Sequence, residues 1–428
     1  MKENFFENNN LELKREFSDS LLKTISAFSN YEGGTILIGV DDEKKFVGVD
    51  NIVEVKLMIE NKINDTIVPR PNYQINILKM ENKNLIEIKV FPEENTPYLY
   101  KGIAYQRKDT STVPVDQTSL INLALKGKNL SFDQAPSNND YFKFLTLEKY
   151  FKDIKQIDKF DKDILITLGL INSNKYTIAA ELFADENNFS TSGIDIVRFG
   201  QSSSEFVDRK RIEKVSILKQ YEEALFMFQK HYPEIEVVKG FSRVKKVQIP
   251  LEAYRESLAN AIVHRDYLIN SYIKISMYDN RIEITSPGGL PKGLDEENYL
   301  NDQISMPRNV IIAQILFMLG IIERFGTGIW RIKKSYQSYF LKPKYVIKKN
   351  FIKVVLPNLL FNDNDMIPEK RILNLLEMQL EIKRQDVEKL LDVNKAKAVE
   401  ILNELLDKNL IKPKGKGRSS SYILDSSN

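Results

Sequence analysis

Residues 255–267 read RESLANAIVHRDY, and their spacing organises what lies downstream. Glu256, Asn260 and His264 stand four apart, so on a helix they share one face, while Leu258, Ala261 and Ile262 fall on the other. The pattern predicts a helix from Pro250 to Val263 with one polar stripe facing something. Two strand-like runs follow, Tyr272 to Tyr278 and Arg281 to Thr285, joined by the tight-turn dipeptide Asp279-Asn280. Two glycine turns then stand at element boundaries. Ser286-Pro287-Gly288-Gly289-Leu290-Pro291 follows a strand, and Glu323-Arg324-Phe325-Gly326-Thr327-Gly328 follows an apolar helix expected near 310–322. Such turns let backbone amides approach phosphates closely. An acid to polarise water, an amide to hold Mg²⁺ and a following histidine suit a nucleoside triphosphate. An amphipathic surface helix would present the same stripe.

Upstream, residues 1 to about 125 read as a compact α/β unit. Phe17, Leu21, Leu22, Ile25 and Phe28 have helical spacing, Gly33-Gly34 breaks the helix, and Thr35 to Val40 is a β-branched run. Further strands are predicted at Tyr73 to Leu78, Leu85 to Val90 and Gly102 to Arg107. Residues 126–160 read as a connector, because SFDQAPSNND (131–140) is polar with a proline. Residues 161–360 form a second α/β region. Within it, 160–245 reads as two buried elements, TIAAELFAD and DIVRFGQ, with no chemistry of its own. Arg243, Lys245 and Lys246 form a short basic run that reads as a solvated strand face.

At the other end, residues 366–425 hold three short amphipathic helical patterns, 367–378, 383–391 and 394–408. A glycine-containing basic stretch, LIKPKGKGRSSSYIL, follows them. This is a helix-turn-helix layout with a hairpin wing. Lys395 and Lys397 lead the third helix, and Lys408, Lys412, Lys414, Lys416 and Arg418 cluster with no acid before Asp425, as a phosphate-contacting surface requires. Glu400, Glu404 and Asp407 on the same helix would repel phosphates, and such modules also serve protein contacts.

Composition sets the frame. At roughly 150 residues per domain, 428 residues suggest two or three domains. With 42% hydrophobic, 10% aromatic and 28% charged residues, the chain is an ordinary globular one. Lys and Arg number 62 against 59 Asp and Glu, so a net charge of +3 does not by itself call for nucleic acid. The absence of cysteine, with His231 and His264 the two histidines, removes Cys/His zinc sites and leaves carboxylate-held Mg²⁺ or Mn²⁺ as the metal chemistry. The longest apolar stretch falls short of the roughly 20 residues that span a bilayer. The opening MKENFFENNNLELKREF has no apolar leader region. The expectation is therefore a soluble cytoplasmic protein with no membrane partner.

Glu7, Glu12 and Lys14 precede the first helix, and Asp41 and Asp42 follow the first strand. Carboxylates at a strand edge with a lysine are what a metal-dependent phosphodiester-cleaving site needs. A hairpin turn and solvated acids account for the same residues. NNNLELKREF, ISAFSNYEGGTILIGVDD and KGIAYQRKDTST, in this order, resemble the AlbA-type domain of Schlafen proteins and of many bacterial regulators. That resemblance implies a nuclease site of three acids and a lysine, matching Glu7, Glu12, Lys14 and Asp42, with Asp41 the near alternative to Asp42. It also places Arg107, Lys108, Ser111 and Thr112 in a stretch that can position phosphates or form a polar turn.

The run from ESLANAIVHRDY through DNRIEITSPGGLP and SMPRNVIIAQ to ERFGTGIWRI resembles the divergent GHKL-type ATPase domain, over about residues 250–335. The resemblance implies that Glu256 activates water, that Asn260 holds Mg²⁺, and that His264, Gly288, Gly289, Gly326, Thr327 and Gly328 flank the nucleotide. Arg308 and Asn309 would then reach a phosphate, a neighbouring subunit or a helix start. Ser286 stands where typical members carry an aspartate that reads the adenine amino group. The reading is an α/β multidomain chain: a Schlafen-like module (1–125), a GHKL-like sandwich in the middle region, and a winged helix (366–425). It implies a nucleotide-responsive bacterial transcriptional regulator, binding DNA or structured RNA, with ATP as ligand and a homo-oligomer as its working form. The alternative is a Mg²⁺- or Mn²⁺-dependent endoribonuclease acting on structured RNA, as in phage defence. A weak ATPase activity is compatible with either.

Overall fold

The computed structural model describes residues 6–200, 202, 204–239, 242–291, 293–301, 306–323, 326–361, 367–415 and 421–425. The chain divides into two units, Met1–Ser131 and Phe132–Asn428, each with its own hydrophobic core. It is a mixed α/β multidomain protein, and no helix among the described residues is long and apolar enough to cross a membrane.

The first unit runs β1 (Leu11–Lys14), α1 (Ser20–Asn30), β2 (Gly34–Ile38), α2 (Ile52–Thr66), β3 (Ile67–Val68), β4 (Tyr73–Met80), β5 (Lys83–Val90), β6 (Leu99–Tyr100), β7 (Ile103–Lys108), β8 (Ser111–Pro114) and α3 (Gln117–Gly127). Leu21, Leu22, Ile25 and Phe28 of α1 are buried, as their spacing predicts, although Phe17 stays outside the helix. A Cβ on Gly34 would lie 2.5 Å from the Phe28 ring, so glycine lets β2 leave the turn directly beneath α1. One sheet has the order β1-β2-β5-β4, with β1 parallel to β2 and Glu12 level with Ile36. A second has the order β3-β6-β7-β8. The buried Asn30 amide ties α1 to the approach of β6, accepting from Tyr98 N at 2.7 Å and donating to Tyr98 O at 3.0 Å.

The second unit begins with a 3₁₀ turn (Phe132–Gln134), α4 (Leu145–Lys155), α5 (Lys162–Thr167), β9 (Ile171–Asn172), β10 (Lys175–Tyr176) and α6 (Ile178–Phe183). It continues through β11 (Gly193–Phe199), β12 (Phe206–Glu213), α7 (Ile217–His231), β13 (Ile235–Lys239), β14 (Ser242–Lys246), α8 (Leu251–Val263), β15 (Ile273–Met277) and β16 (Arg281–Pro287). Then come α9 (Glu296–Asn301), α10 (Val310–Met318), α11 (Gly328–Ser335), β17 (Lys344–Ile347) and β18 (Phe351–Pro357). A six-stranded sheet has the order β12-β11-β15-β16-β18-β17, parallel between β11 and β15 and antiparallel elsewhere. TIAAELFAD and DIVRFGQ thus become the buried α6 and the inner strand β11. Leu258 and Ile262 of α8 share one core with Ile273, Ile275, Ile282 and Ile284 of the sheet.

Two expectations need correction. Residues 126–160 are no loose connector: Leu147 and Phe151 of α4 lie in the core of the second unit. The polar composition of 131–140 hides a fully buried Asp133, whose carboxylate accepts from Val310 N at 3.2 Å and Ile312 N at 2.9 Å, capping α10 from a distance in sequence. The apolar stretch 310–322 is helical only to Met318, because the chain closes in a turn with Gly320 N donating to Phe317 O at 2.9 Å.

The chain ends in α12 (Pro368–Gln379), α13 (Arg384–Leu391), α14 (Lys395–Asp407) and the antiparallel hairpin β19 (Ile411–Lys414) and β20 (Ser421–Leu424). Ile372, Leu376, Val387, Ala398, Leu402 and Leu405 form its core. Arg281 of β16 reaches Glu377 of α12 at 2.7 Å.

Candidate functional site

The amphipathic spacing of α8 turns Glu256 and Asn260 toward the start of α11. Glu256 is 6% exposed. Its Oε2 accepts from Arg331 Nη2 at 2.7 Å, and Arg331 Nη1 donates to Glu323 Oε1 at 2.7 Å. Burial pushes the Glu256 pKa up, against the pull of Arg331. A Cβ on Gly328 would collide with Glu256 Oε1 and lie 3.0 Å from Asn260 Nδ2, so glycine is what allows α11 to begin here. His264 follows the last residue of α8, its N–H on Asn260 O at 2.9 Å. Burial, with Arg308 nearby, lowers the imidazole pKa to about 4, so the ring is neutral at physiological pH.

A cavity of about 70 Å³ is lined by Glu256, Asn260, His264, Glu323, Gly326 and Gly328, among others. A second, of about 20 Å³, shares Asn260 and His264 and reaches Ser257, Ser286 and Gly288. His264 Nδ1 and Ser257 Oγ are buried there without a hydrogen-bond partner among the described residues. Ser286 Oγ donates to Ala261 O at 2.7 Å, so its proton is used in holding α8. Thr327 Oγ1 lies 3.4 Å from Glu323 Oε2. Arg308 donates to His264 O at 3.1 Å and Gly289 O at 2.8 Å, and Asn309 to Val263 O at 2.8 Å and Arg265 O at 2.9 Å. Both side chains therefore fix the end of α8 through its carbonyls. Arg331 and Glu323 were not singled out from the sequence. The available signal was position, since Arg331 lies one helical turn beyond Gly328 in ERFGTGIWRI.

In the first unit the structure gathers Glu7, Glu12 and Lys14. Lys14 Nζ lies 2.8 Å from Glu12 Oε1 and 3.2 Å from Glu7 Oε1. Burial alone would lower the Lys14 pKa, but Glu12 and then Glu7 raise it above the ordinary lysine value. Arg107 Nη1 lies 2.6 Å from Glu12 Oε2, and the guanidinium also donates to Thr112 Oγ1 and Asn8 O, both at 3.0 Å. Asp42 does not join them. It is exposed past the end of β2, next to a turn in which Asp41 Oδ1 accepts from Lys45 N at 2.8 Å. Among the described residues no three His, Cys, Asp or Glu side chains are gathered to hold a metal ion. Both Glu12 oxygens are already met by cations. Lys108 and Ser111 pair across the β7–β8 hairpin.

At the C-terminal helices, Lys395 is exposed at the start of α14, and Lys397 pairs with Glu400 at 2.7 Å. Lys412 lies 3.3 Å from Asp425 and Lys414 lies 2.6 Å from Glu381. Such exposed pairs contribute little to stability and leave the cations available to a stronger anion. Lys416 and Arg418 lie outside the described residues.

Comparison with known proteins follows the two units. Residues 7–116 match the family model described as Schlafen, AlbA_2. Residues 270–356 match the model described as "Putative ATP-dependent DNA helicase recG C-terminal". The second match begins after α8, so Glu256 and Asn260 lie upstream of it. No curated protein matches the chain. Among solved structures, the DIP2311 protein of Corynebacterium diphtheriae is 18% identical, with 97% of this chain and 92% of that one covered and a TM-score of 0.46. The N-terminal domain of a "Putative ATP-dependent DNA Helicase RecG-related Protein" of Nitrosomonas europaea is 23% identical over 25% of this chain and 83% of its own, with a TM-score of 0.21. The chain carries a Schlafen AlbA_2 domain and an ATPase-like domain of the RecG C-terminal type, a pairing that points to a nucleic-acid-associated protein.

Proposed function

We propose that the chain is a nucleic-acid-binding protein whose hold on DNA is set by a nucleotide, in the manner of a bacterial transcriptional regulator. The observation that supports the nucleotide half is the meeting of α8 with α11. Glu256, Asn260 and neutral His264 face the Gly326-Thr327-Gly328 turn across one cavity, in the arrangement a GHKL-type ATP site would use. The Asn260 amide oxygen suits Mg²⁺ whose remaining ligands are phosphate oxygens and water, which leaves the Glu256 carboxylate to act on water. With Ser286 neutral and hydrogen-bonded to α8, ATP is held chiefly through its phosphates.

The DNA half rests on the C-terminal helices. α12 to α14 and the β19–β20 hairpin have winged-helix order, with Lys395 and Lys397 leading α14 and Lys412 and Lys414 on the hairpin. Nucleotide-dependent self-association would then change avidity for DNA.

The test measures full-chain binding to a duplex DNA panel by fluorescence anisotropy, with and without Mg²⁺ and ATP, together with mass in solution. A several-fold change in DNA affinity with ATP supports the regulator reading. Unchanged affinity and mass overturn it. Mg²⁺- or Mn²⁺-dependent cleavage of structured RNA that Glu12→Ala abolishes would replace it with the endoribonuclease reading.

A further inference from the structure

We propose that Arg331 is the phosphate-binding arginine of this site, and that in the nucleotide-free protein the Glu256 carboxylate occupies the place of the phosphate. The proposal rests on the nucleotide reading above and adds a residue and a switch to it.

The cavity between α8 and α11 is lined by no lysine or arginine among the described residues. A triphosphate entering there needs a cation. Arg331 is next to the cavity, on the first turn of α11, with 19% of its side chain exposed. Its guanidinium is shared by two carboxylates, Glu256 and Glu323, each at 2.7 Å, and its Nε is buried without a hydrogen-bond partner among the described residues. The fork of an arginine fits a phosphate as it fits a carboxylate, so exchanging one for the other asks little change of its geometry.

The backbone leads to the same place. α11 starts at Gly328, whose missing side chain leaves room for Glu256 Oε1 against the helix N-terminus, where the exposed N–H groups and the helix dipole favour an anion. An internal anion therefore already sits at the helix start and on the arginine. Glu256 and Glu323 together outweigh the single charge of Arg331, so a phosphate must displace a carboxylate rather than join it. Displacement has a second effect: Glu256 loses its ion-pair partner and becomes free to accept a proton from water. Binding of the terminal phosphate and release of the acid are one event.

The experiment measures ATP and AMP affinities of the full chain by competition against a fluorescent ATP analogue in Mg²⁺, for wild type, Arg331→Met and Glu256→Gln. Losing a charge-assisted phosphate contact should weaken ATP binding by roughly tenfold or more in Arg331→Met, with AMP binding little changed. Glu256→Gln, which keeps the shape but removes the competing charge, should bind ATP several-fold more tightly. Arg331→Met with wild-type ATP affinity, or an equal loss for ATP and AMP, overturns the assignment, as does Glu256→Gln binding ATP no better than wild type. Wild type that binds no nucleotide overturns the ATP-site reading itself, a result distinct from failure of the arginine alone.

Discussion

Gly328 and His264 show how single residues hold the candidate site. In Gly328→Ala the new methyl group would have to displace the buried Glu256 carboxylate or the start of α11. The expected cost is about 1–3 kcal/mol, the range of an overpacked interior, read as a lower urea midpoint and weaker ATP binding. His264 makes a pH prediction. Its pKa falls from 6.5 to about 4 on folding, because burial disfavours the charged ring. The unfolded chain therefore takes up this proton first as the solution is acidified. The stability from the neutral ring is complete above pH 6.5 and is lost as pH falls toward 4, up to about 3 kcal/mol in all. Glu256, whose pKa is raised, opposes part of this loss in the carboxylate range. Urea midpoints from pH 7 to pH 4.5 should fall more steeply for wild type than for His264→Gln. Glu256, Asn260 and His264 were legible because α8 carries the first two and ends one residue before the third, so a single local spacing relates all three. Arg331 was not, because its partner is distant in sequence and only folding brings α11 against α8.

Elements whose apolar spacing is local were read correctly in kind, with shifted ends. α1 begins at Ser20 rather than Phe17, and α8 and β15 fall within a residue of their predicted spans. The 3₁₀ turn at Phe132–Gln134 was not legible, since nothing in SFDQAPSNND says that its first aspartate will cap a helix far along the chain. That cap is the α10 prediction. Asp133 is fully buried and accepts from two backbone N–H groups at the start of α10, so Asp133→Ala leaves both without their carboxylate. The loss should be about 2 kcal/mol or more, above that of an exposed cap, and Asp133→Asn, which keeps one acceptor, should lose less. Equilibrium urea unfolding of the three proteins checks the order. The surroundings of the first unit's carboxylates were not legible at this same scale. Parallel pairing of β1 with β2 sets Glu12 level with Ile36 and leaves Asp42 beyond the strand end, a register that sequence spacing does not reveal.

The whole molecule is built from two units that each bury their own apolar residues, with Leu21, Ile25, Ile36, Ile63 and Ile88 in one core and Phe183, Ile196, Leu258, Ile284 and Ile315 in another. A chain built this way should not unfold in one step. Residues 1–131 expressed alone should unfold cooperatively, and the full chain should show a matching transition beside a second one from residues 132–428. Nucleotide then tells the two apart. The residues assigned to ATP all lie in the second unit, and a ligand that binds only the folded form stabilises it by about 2.7 kcal/mol at a hundredfold excess over its Kd. Saturating Mg²⁺ and ATP should therefore move the second transition to higher denaturant and leave the first in place, while Arg331→Met, binding roughly tenfold more weakly, should lose about half of that shift at the same ATP concentration. If both transitions moved equally, the nucleotide would be acting on the two units together, and the route from ATP to nucleic acid would run through the Schlafen-type domain as well as the C-terminal helices.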